Sequence, residues 1–356
     1  MLAPSRGLAL LLTLSACSRS AEREAPEHQA VATPVPAPST ARASEEGAQA
    51  AHARFDVHIH LVEPISDELL SALERAGIEQ AVLMASPHLE SERPPGADGF
   101  AHWRDANERL LRQTAPHAGL FPFITVDPAA VEVHELERWF EQGACGVKLY
   151  MGHRSFHAQP LDAPIHAAMF EWLERRHVPV LLHVNTFRYE HELDALLSKH
   201  PELELVCPHL CGSRTDLDRL ERLLDKHPKL RVDTSHGPGR PGIDGFLNVE
   251  RERERLARLI HAEPTRFLFG SDLLTLTAVS GDIEATRSEW DLQLRANLGL
   301  LEAESFEFYR PKNEHGALMV GNYRGLALEA TDAQAVLAGN ARAWLASCID
   351  PPAQTP

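Results

Sequence analysis

Between residues 53 and 350 one unit recurs eight times: a run of five to eight apolar, β-branched or aromatic residues, then an amphipathic stretch with apolar positions at i, i+3 and i+4. The runs are FDVHIHL from Phe55, QAVLMAS from Gln80, GLFPFITV from Gly119, ACGVKLY from Ala144, VPVLLHV from Val178, LELVCPHL from Leu203, LRVDTS from Leu230 and RFLFGSD from Arg266. Segments such as SDELLSALERAG, ELERWFEQG and DLDRLERLLDKH lie between them, several stopped by Gly or His-Pro. The runs start roughly 25 to 39 residues apart, the length of a β-α unit, and eight such units close into a barrel. An open doubly wound sheet is the rival, but no Gly-rich phosphate loop follows the first run. The expected fold is α/β, a (β/α)8 TIM barrel over residues 53–350, with a short tail at 351–356.

In such a barrel alternate strand residues face the interior and reactive groups collect at the C-terminal strand ends. Strict alternation in the first run puts Asp56, His58 and His60 on one face, and Phe55, Val57, Ile59 and Leu61 on the other. Two histidines at i, i+2 reach one metal only from a shared face, which makes D-x-H-x-H a specific signal. Lys148 ends the fourth run with Gly146 and Tyr150 on its face. His183 ends the fifth, His209 the sixth and Asp272 the eighth, where Gly270 gives the backbone room. With 20 His in the chain, a lone histidine reads as a hydrogen-bonded core or rim residue, a lone Lys148 as a solvated rim group or anion binder, and a lone Asp272 as a helix cap. A polar group closing a buried apolar run is costly unless paired or metal-bound. Six of them at the ends of five strands, all directed inward, point to a metal site.

The chain opens with Arg6, the apolar stretch Gly7–Leu14 and the small residues Ser15 and Ala16 before Cys17, too short to span a bilayer and patterned as an export signal. LSAC resembles the lipobox of bacterial lipoproteins. That resemblance implies a signal peptide over 1–17, acylation of Cys17, membrane attachment through the lipid, and a place in the cell envelope, periplasm or outer membrane. Residues 18–52 are Ala, Pro, Glu and Ser with almost no large apolar side chain, a disordered tether. In an oxidising compartment Cys145, Cys207, Cys211 and Cys348 are candidates for disulfides, although Cys207 and Cys211 lie too far apart to bridge if their run is extended. The formal charge of −16 excludes nucleic acid as a partner and leaves a small molecule.

The whole constellation resembles the amidohydrolase superfamily, over roughly residues 54 to 346: HxH in the first run, HL in the sixth, GSD in the eighth and the closing VLAGNARAWL. ANERLL, FPFITVDP and GNYRGLAL are similar to its amidohydrolase-2 branch, which holds aminocarboxymuconate semialdehyde decarboxylase and pyrone dicarboxylate lactonase. KLYMG is similar to dihydroorotases, whose strand-four Lys is carboxylated and bridges two metals. The resemblance implies an enzyme that uses a divalent metal, zinc first, to activate water against the carbonyl of a small amide, lactone or ester. His58, His60 and Asp272 would hold the first ion, His183 and His209 a second, and a carboxylated Lys148 would bridge them. Asp272 would pass a proton from the attacking water to the leaving group. With an unmodified Lys148, one ion on His58, His60, His183 and Asp272 would leave His209 as the acid/base. That version also suits decarboxylation or hydration of an unsaturated carboxylic acid. A third reading, a lipoprotein that only binds a ligand, sits poorly with so complete a ligand set. Arg154, Arg188, Arg214 and Arg240 follow strands four to seven, where one could clamp a substrate carboxylate, and His153 and His236 also follow strand ends.

Overall fold

The structure, a computed structural model, describes residues 53–90, 102–236, 245–277, 281–311 and 318–349. The signal segment with Cys17, the tether at 18–52, Arg240 and the tail at 351–356 lie outside the described residues. Among the described residues no helix is long and apolar enough to cross a membrane.

The predicted runs form strands β1 (Arg54–Leu61), β2 (Ile78–Ala85), β3 (Leu120–Thr125), β4 (Gly146–Gly152), β5 (Val180–Val184), β6 (Leu205–Cys207), β7 (Arg231–Asp233), β8 (Phe267–Leu268) and β9 (Leu273–Leu274). All pair in parallel, in the order β8-β7-β6-β5-β4-β3-β2-β1-β9. The two ends of that order are consecutive in the chain: β8 lies within the eighth run and β9 directly follows its closing Asp272. Val57 N donates to Phe269 O at 3.0 Å, and Ile59 and His60 pair with β9, so the eighth run bonds β7 at its start and β1 at its end. The sheet is curled, and its arrangement is consistent with the expected (β/α)8 barrel.

One major helix follows each run: α1 (Asp67–Arg75), α2 (Trp103–Thr114), α3 (Val133–Glu141), α4 (Ala167–Arg175), α5 (Thr186–Lys199), α6 (Leu217–Lys226), α7 (Gly245–Ala262) and α8 (Ile283–Glu302). Local chemistry sets their starts. The Ser66 hydroxyl accepts from Leu69 N, and the Asp216 carboxylate accepts from Arg219 N, each meeting a helix-end N–H that has no partner within the helix. α6 shows the amphipathic rule, burying Leu217, Leu220, Leu223 and Leu224 on one face. An antiparallel hairpin, β10 (Ser305–Pro311) and β11 (Leu318–Arg324), follows α8, and short helical turns from Ala330 end the described chain.

Two apolar layers flank the sheet. Ile59, Leu83, Ile124, Val147, Val180, Leu205 and Val232 pack in the larger cluster with the helices. Phe55, Val57, Val82, Met84, Phe121, Phe123, Leu181, Val206 and Leu268 form a second cluster, which Ala341, Trp344 and Leu345, in and just after the helical turn Asn340–Trp344, plug. This inner plug fills the N-terminal end of the strands and leaves the C-terminal ends to polar groups.

Strict alternation in β1 is not observed. Asp56 pairs with Ala81 and Ile59 with Leu83, so three steps along β1 match two along β2, a β-bulge. Phe55 and Val57 therefore face the inner plug, Ile59 and Leu61 face the helices, and His58 and His60 turn inward. Asp56 aligns with helix-facing Ala81 and does not share the histidines' face. The sixth run is also not extended to its end. It stops at Cys207, and His209, Leu210, Cys211 and Gly212 all take positive φ. That left-handed coil brings Cys207 and Cys211 to a Cα separation of 4.7 Å and joins them in a disulfide, correcting the expectation drawn from an extended strand.

A second disulfide, Cys145–Cys348, ties β4 to the C-terminal plug across 203 residues of sequence. Closing so long a loop restricts the unfolded chain far more than closing the four-residue Cys207–Cys211 loop does, by about 5 against about 2 kcal/mol in the chain-entropy limit. Denaturant titration should therefore show the C145S/C348S chain losing more stability than C207S/C211S. Equal losses would mean that the long crosslink does not constrain the unfolded state.

Candidate metal centre

The β1 bulge places His58 Nε2 and His60 Nε2 3.2 Å apart. Asp272 enters from the break in the eighth run with φ of 55°, a left-handed conformation that aspartate tolerates better than most residues. Its Oδ1 stands 3.3 Å from His58 Nε2 and 3.2 Å from His60 Nε2, and its Oδ2 4.0 Å from His209 Nε2. Ligand atoms about 2.0–2.1 Å from a tetrahedral ion are about 3.3 Å from one another, so the spacing of these three atoms fits such an ion. The ligand atoms of His58, His209 and Asp272 likewise all lie within 4.8 Å of one another.

The imidazoles are held in the form that ligation needs. His58 Nδ1 donates to Asp233 Oδ2 at 2.6 Å, His60 Nδ1 to Ser86 Oγ at 2.8 Å, and His209 Nδ1 to the Ser235 carbonyl at 3.1 Å. Each hydrogen bond leaves an Nε2 lone pair toward the centre. Burial pushes His60 and His209 down to about 4, so both stay neutral at pH 7. Burial alone would raise the Asp272 carboxyl, but the surrounding His209, His58 and His60 hold it well below the usual carboxylate range. Asp56 Oδ1 accepts from the backbone N–H of His58 at 2.9 Å and of Ser271 at 3.0 Å, linking the β1 bulge to the residue before Asp272.

Lys148 is fully buried, with Nζ 3.3 Å from His58 Nε2 and 5.0 Å from the centroid of the Tyr150 ring. No carboxylate lies within ion-pair distance of it among the described residues, and burial pushes its amine down to about 8. His183 sits at the margin. Its ring centroid is 5.1 Å from that of His209 and 4.8 Å from that of His153, and its Nε2 accepts from the Asn185 amide at 3.3 Å. The structure thus gathers His58, His60, Lys148, His209 and Asp272, and leaves His183 beside them. Arg154 and Arg188 are exposed, and Arg214 is half-buried.

The sequence reading missed Asp233. It closes the seventh run, LRVDTS, as Asp272 closes the eighth, and that position was its only sequence signal. Fully buried, it takes His58 on Oδ2 and, on Oδ1, the backbone N–H of His209 at 2.8 Å and of Ser235 at 3.0 Å. Also missed were two amides on α8: Gln293 Nε2 and Asn297 Nδ2 each donate to the carbonyls of both His236 and Ser271, stitching the ends of the seventh and eighth runs together.

The chain matches the amidohydrolase-2 family profile, described as amidohydrolase, over residues 55–346. No curated protein matches it. Among solved structures it is similar to a proposed 2-pyrone-4,6-dicarboxylic acid hydrolase from Pseudomonas putida, at 19% identity and a TM-score of 0.53, covering 85% of this chain and 99% of that one. It is similar to a zinc-bound amidohydrolase from Burkholderia multivorans, at 14% identity and a TM-score of 0.51, covering 82% and 99%. A 5-carboxyvanillate decarboxylase from Sphingomonas paucimobilis follows at 11% identity and a TM-score of 0.53, covering 83% and 99%. At these identities the likeness is one of fold.

Proposed function

Because this chain belongs to the amidohydrolase-2 family, we propose that it is a metal-dependent hydrolase that adds water to the carbonyl of a small amide, lactone or ester and breaks its acyl C–N or C–O bond. The observation that carries the reading is one ionised carboxylate, Asp272, facing the Nε2 atoms of His58, His60 and His209. His58, His60 and Asp272 would hold a divalent ion, zinc by its preference for mixed nitrogen and oxygen ligands, with His209 and His183 beside it for a second and a carboxylated Lys148 between the two. Such an ion supplies a lowered pKa for water and polarises a carbonyl oxygen. Asp272, kept ionised, accepts the proton of the attacking water and returns it to the leaving group. Asp233 holds His58 in the required tautomer. A Lys148 amine lowered to about 8 has a neutral fraction that can take up carbon dioxide.

A lyase reading, decarboxylation or hydration of an unsaturated carboxylic acid, has its own support. Lys148 Nζ occupies hydrogen-bond distance from His58 Nε2, which suits an unmodified lysine. The decarboxylase among the similar structures fits the same reading. Elemental analysis of the purified protein separates the two. About two ions per chain, falling to one or none in Lys148→Ala, is the result expected of the bridged hydrolase; about one ion, unchanged by the substitution, would replace it with the lyase. Export and lipidation at Cys17 belong to the same proposal. They rest on the segment before Cys17 and are tested by metabolic labelling with a fatty acid, which Cys17→Ala should abolish.

A further inference from the structure

Asp272 holds φ of 55°, and a non-glycine residue stays in that region only where its surroundings fix the backbone. Turning φ would swing the Cβ and the carboxylate with it, so the approach of Oδ1 to His58 and His60 Nε2 depends on the two peptide groups that flank Asp272. The following one is fixed where Leu273 N donates to Ser271 Oγ at 3.2 Å and Leu273 pairs with Ile59 of β1. The preceding one is fixed through its oxygen: the Ser271 carbonyl accepts from Gln293 Nε2 at 2.8 Å and from Asn297 Nδ2 at 3.2 Å.

Both donors come from α8, four residues apart and therefore on one face. Leu294, Leu300 and Leu301, the helical neighbours of Asn297, are buried apolar residues, and asparagine suits a helix interior less well than leucine. What Asn297 holds explains its place. It is 1% exposed; its Nδ2 also meets the carbonyls of His236 at 2.9 Å and Gln293 at 3.0 Å, and its Oδ1 accepts the His236 N–H at 2.8 Å. Gln293 Nε2 donates to the same His236 carbonyl at 2.9 Å. On the other side Asp56 Oδ1 takes the Ser271 N–H at 3.0 Å, but it also takes the His58 N–H, so only the two amides grip Ser271 without also gripping a candidate ligand. Asn340 provides a contrast. It too is a buried amide, and it donates to the carbonyls of Pro264 at 2.8 Å and Phe267 at 2.7 Å, around the start of the same eighth run.

We infer that Gln293 and Asn297 are positioning residues for Asp272: together they hold the peptide before it, so that its backbone stays left-handed and its carboxylate stays on the imidazoles. Metal affinity depends on the groups that orient each ligand, and here those groups orient the ligand's backbone in place of its side chain. The inference deepens the proposed function and rests on it for the metal that Asp272 would bind. The backbone conformation that the two amides impose does not depend on the metal.

The test reads the backbone and the metal separately. In the metal-free full chain with carbon-labelled aspartate, the Cα and Cβ shifts of Asp272, assigned by their loss in Asp272→Asn, report φ. The paired substitution Gln293→Met with Asn297→Leu should move them from left-handed to right-handed or extended values. Asn340→Leu should leave them in place while lowering the melting temperature. In competition with a chelator the paired substitution should weaken zinc binding roughly 10- to 100-fold, the range for loss of an orienting group, with Asn340→Leu within about twofold of the parent. Added to Asp272→Asn, the pair should cost no further affinity, because the carboxylate it positions is gone. The inference is overturned if the parent's Asp272 shifts are not left-handed, if the paired substitution leaves them unmoved, or if its loss of affinity is matched by Asn340→Leu or adds in full to that of Asp272→Asn. Should the paired variant fail to fold, as its melting curve would reveal, Gln293→Met alone, which removes the shorter bond to Ser271, decides on the same readings. A parent that binds no zinc, or an Asp272→Asn chain that binds it as tightly as the parent, sinks the metal reading; the shifts alone then decide the clamp, which stands if the paired substitution moves them and falls if it does not.

Discussion

Asp272→Asn is expected to lower kcat/KM at least 100-fold against any lactone or ester that the parent hydrolyses, with little change in melting temperature. The expected loss follows from the work the carboxylate would do. Proton transfer by a positioned group contributes about 10²- to 10⁴-fold, and an amide at the same place neither takes a proton at neutral pH nor supplies the charge that three imidazole Nε2 atoms face. Asparagine is the informative replacement because it keeps the shape and accepts the left-handed conformation imposed at φ of 55°, whereas alanine would add backbone strain to the lost charge. Rates measured on a panel of small lactones and esters, with metal content and melting curves on the same samples, check the prediction. Equal rates in parent and variant would remove Asp272 from the chemistry and the hydrolase reading with it.

Much of this arrangement can be read from the chain because barrel strands are written as buried apolar runs, and a charged residue at the end of such a run has to be explained. Lys148, His209 and Asp272 were visible for that reason. What escaped detection was backbone geometry. In β1 the inward set is Phe55, Val57, His58 and His60, a sequence that no strict period of two produces, because a bulge inserts one residue between the plug and the site. At His209 three successive non-glycine residues adopt positive φ, a conformation with no sequence signature beyond the glycine that ends it. The disulfide between Cys207 and Cys211 is a consequence of that coil, so spacing on an assumed strand could only argue against it. His183 shows how far strand position alone carries. Its position at a strand end is as foreseen, yet its ring lies at the margin with Nε2 on Asn185, because the partner a histidine selects depends on neighbours far away in sequence.

Asp233 tests whether the geometry around the site matters as much as the ligands. Replacing it by alanine should weaken zinc affinity 10- to 100-fold, the range found when the carboxylate behind a metal-binding histidine is lost. Replacing it by asparagine should be nearly as damaging, and the reason is tautomeric. The carboxylate accepts the Nδ1 hydrogen of His58 at 2.6 Å, which keeps Nε2 unprotonated and directed toward His60 and Asp272. If the asparagine carbonyl keeps the backbone N–H groups of His209 and Ser235, as Asp233 Oδ1 does now, its amide nitrogen must face His58 Nδ1. An amide donates, so Nδ1 would become the acceptor and the imidazole hydrogen would move to Nε2, into the place a metal would take. Titration with zinc and a competing chelator measures the affinity, and nitrogen shifts of the labelled His58 ring report the tautomer directly. An asparagine variant that binds zinc as tightly as the parent, with the hydrogen still on Nδ1, would show that the backbone of β1 alone orients His58 and that Asp233 acts only as packing.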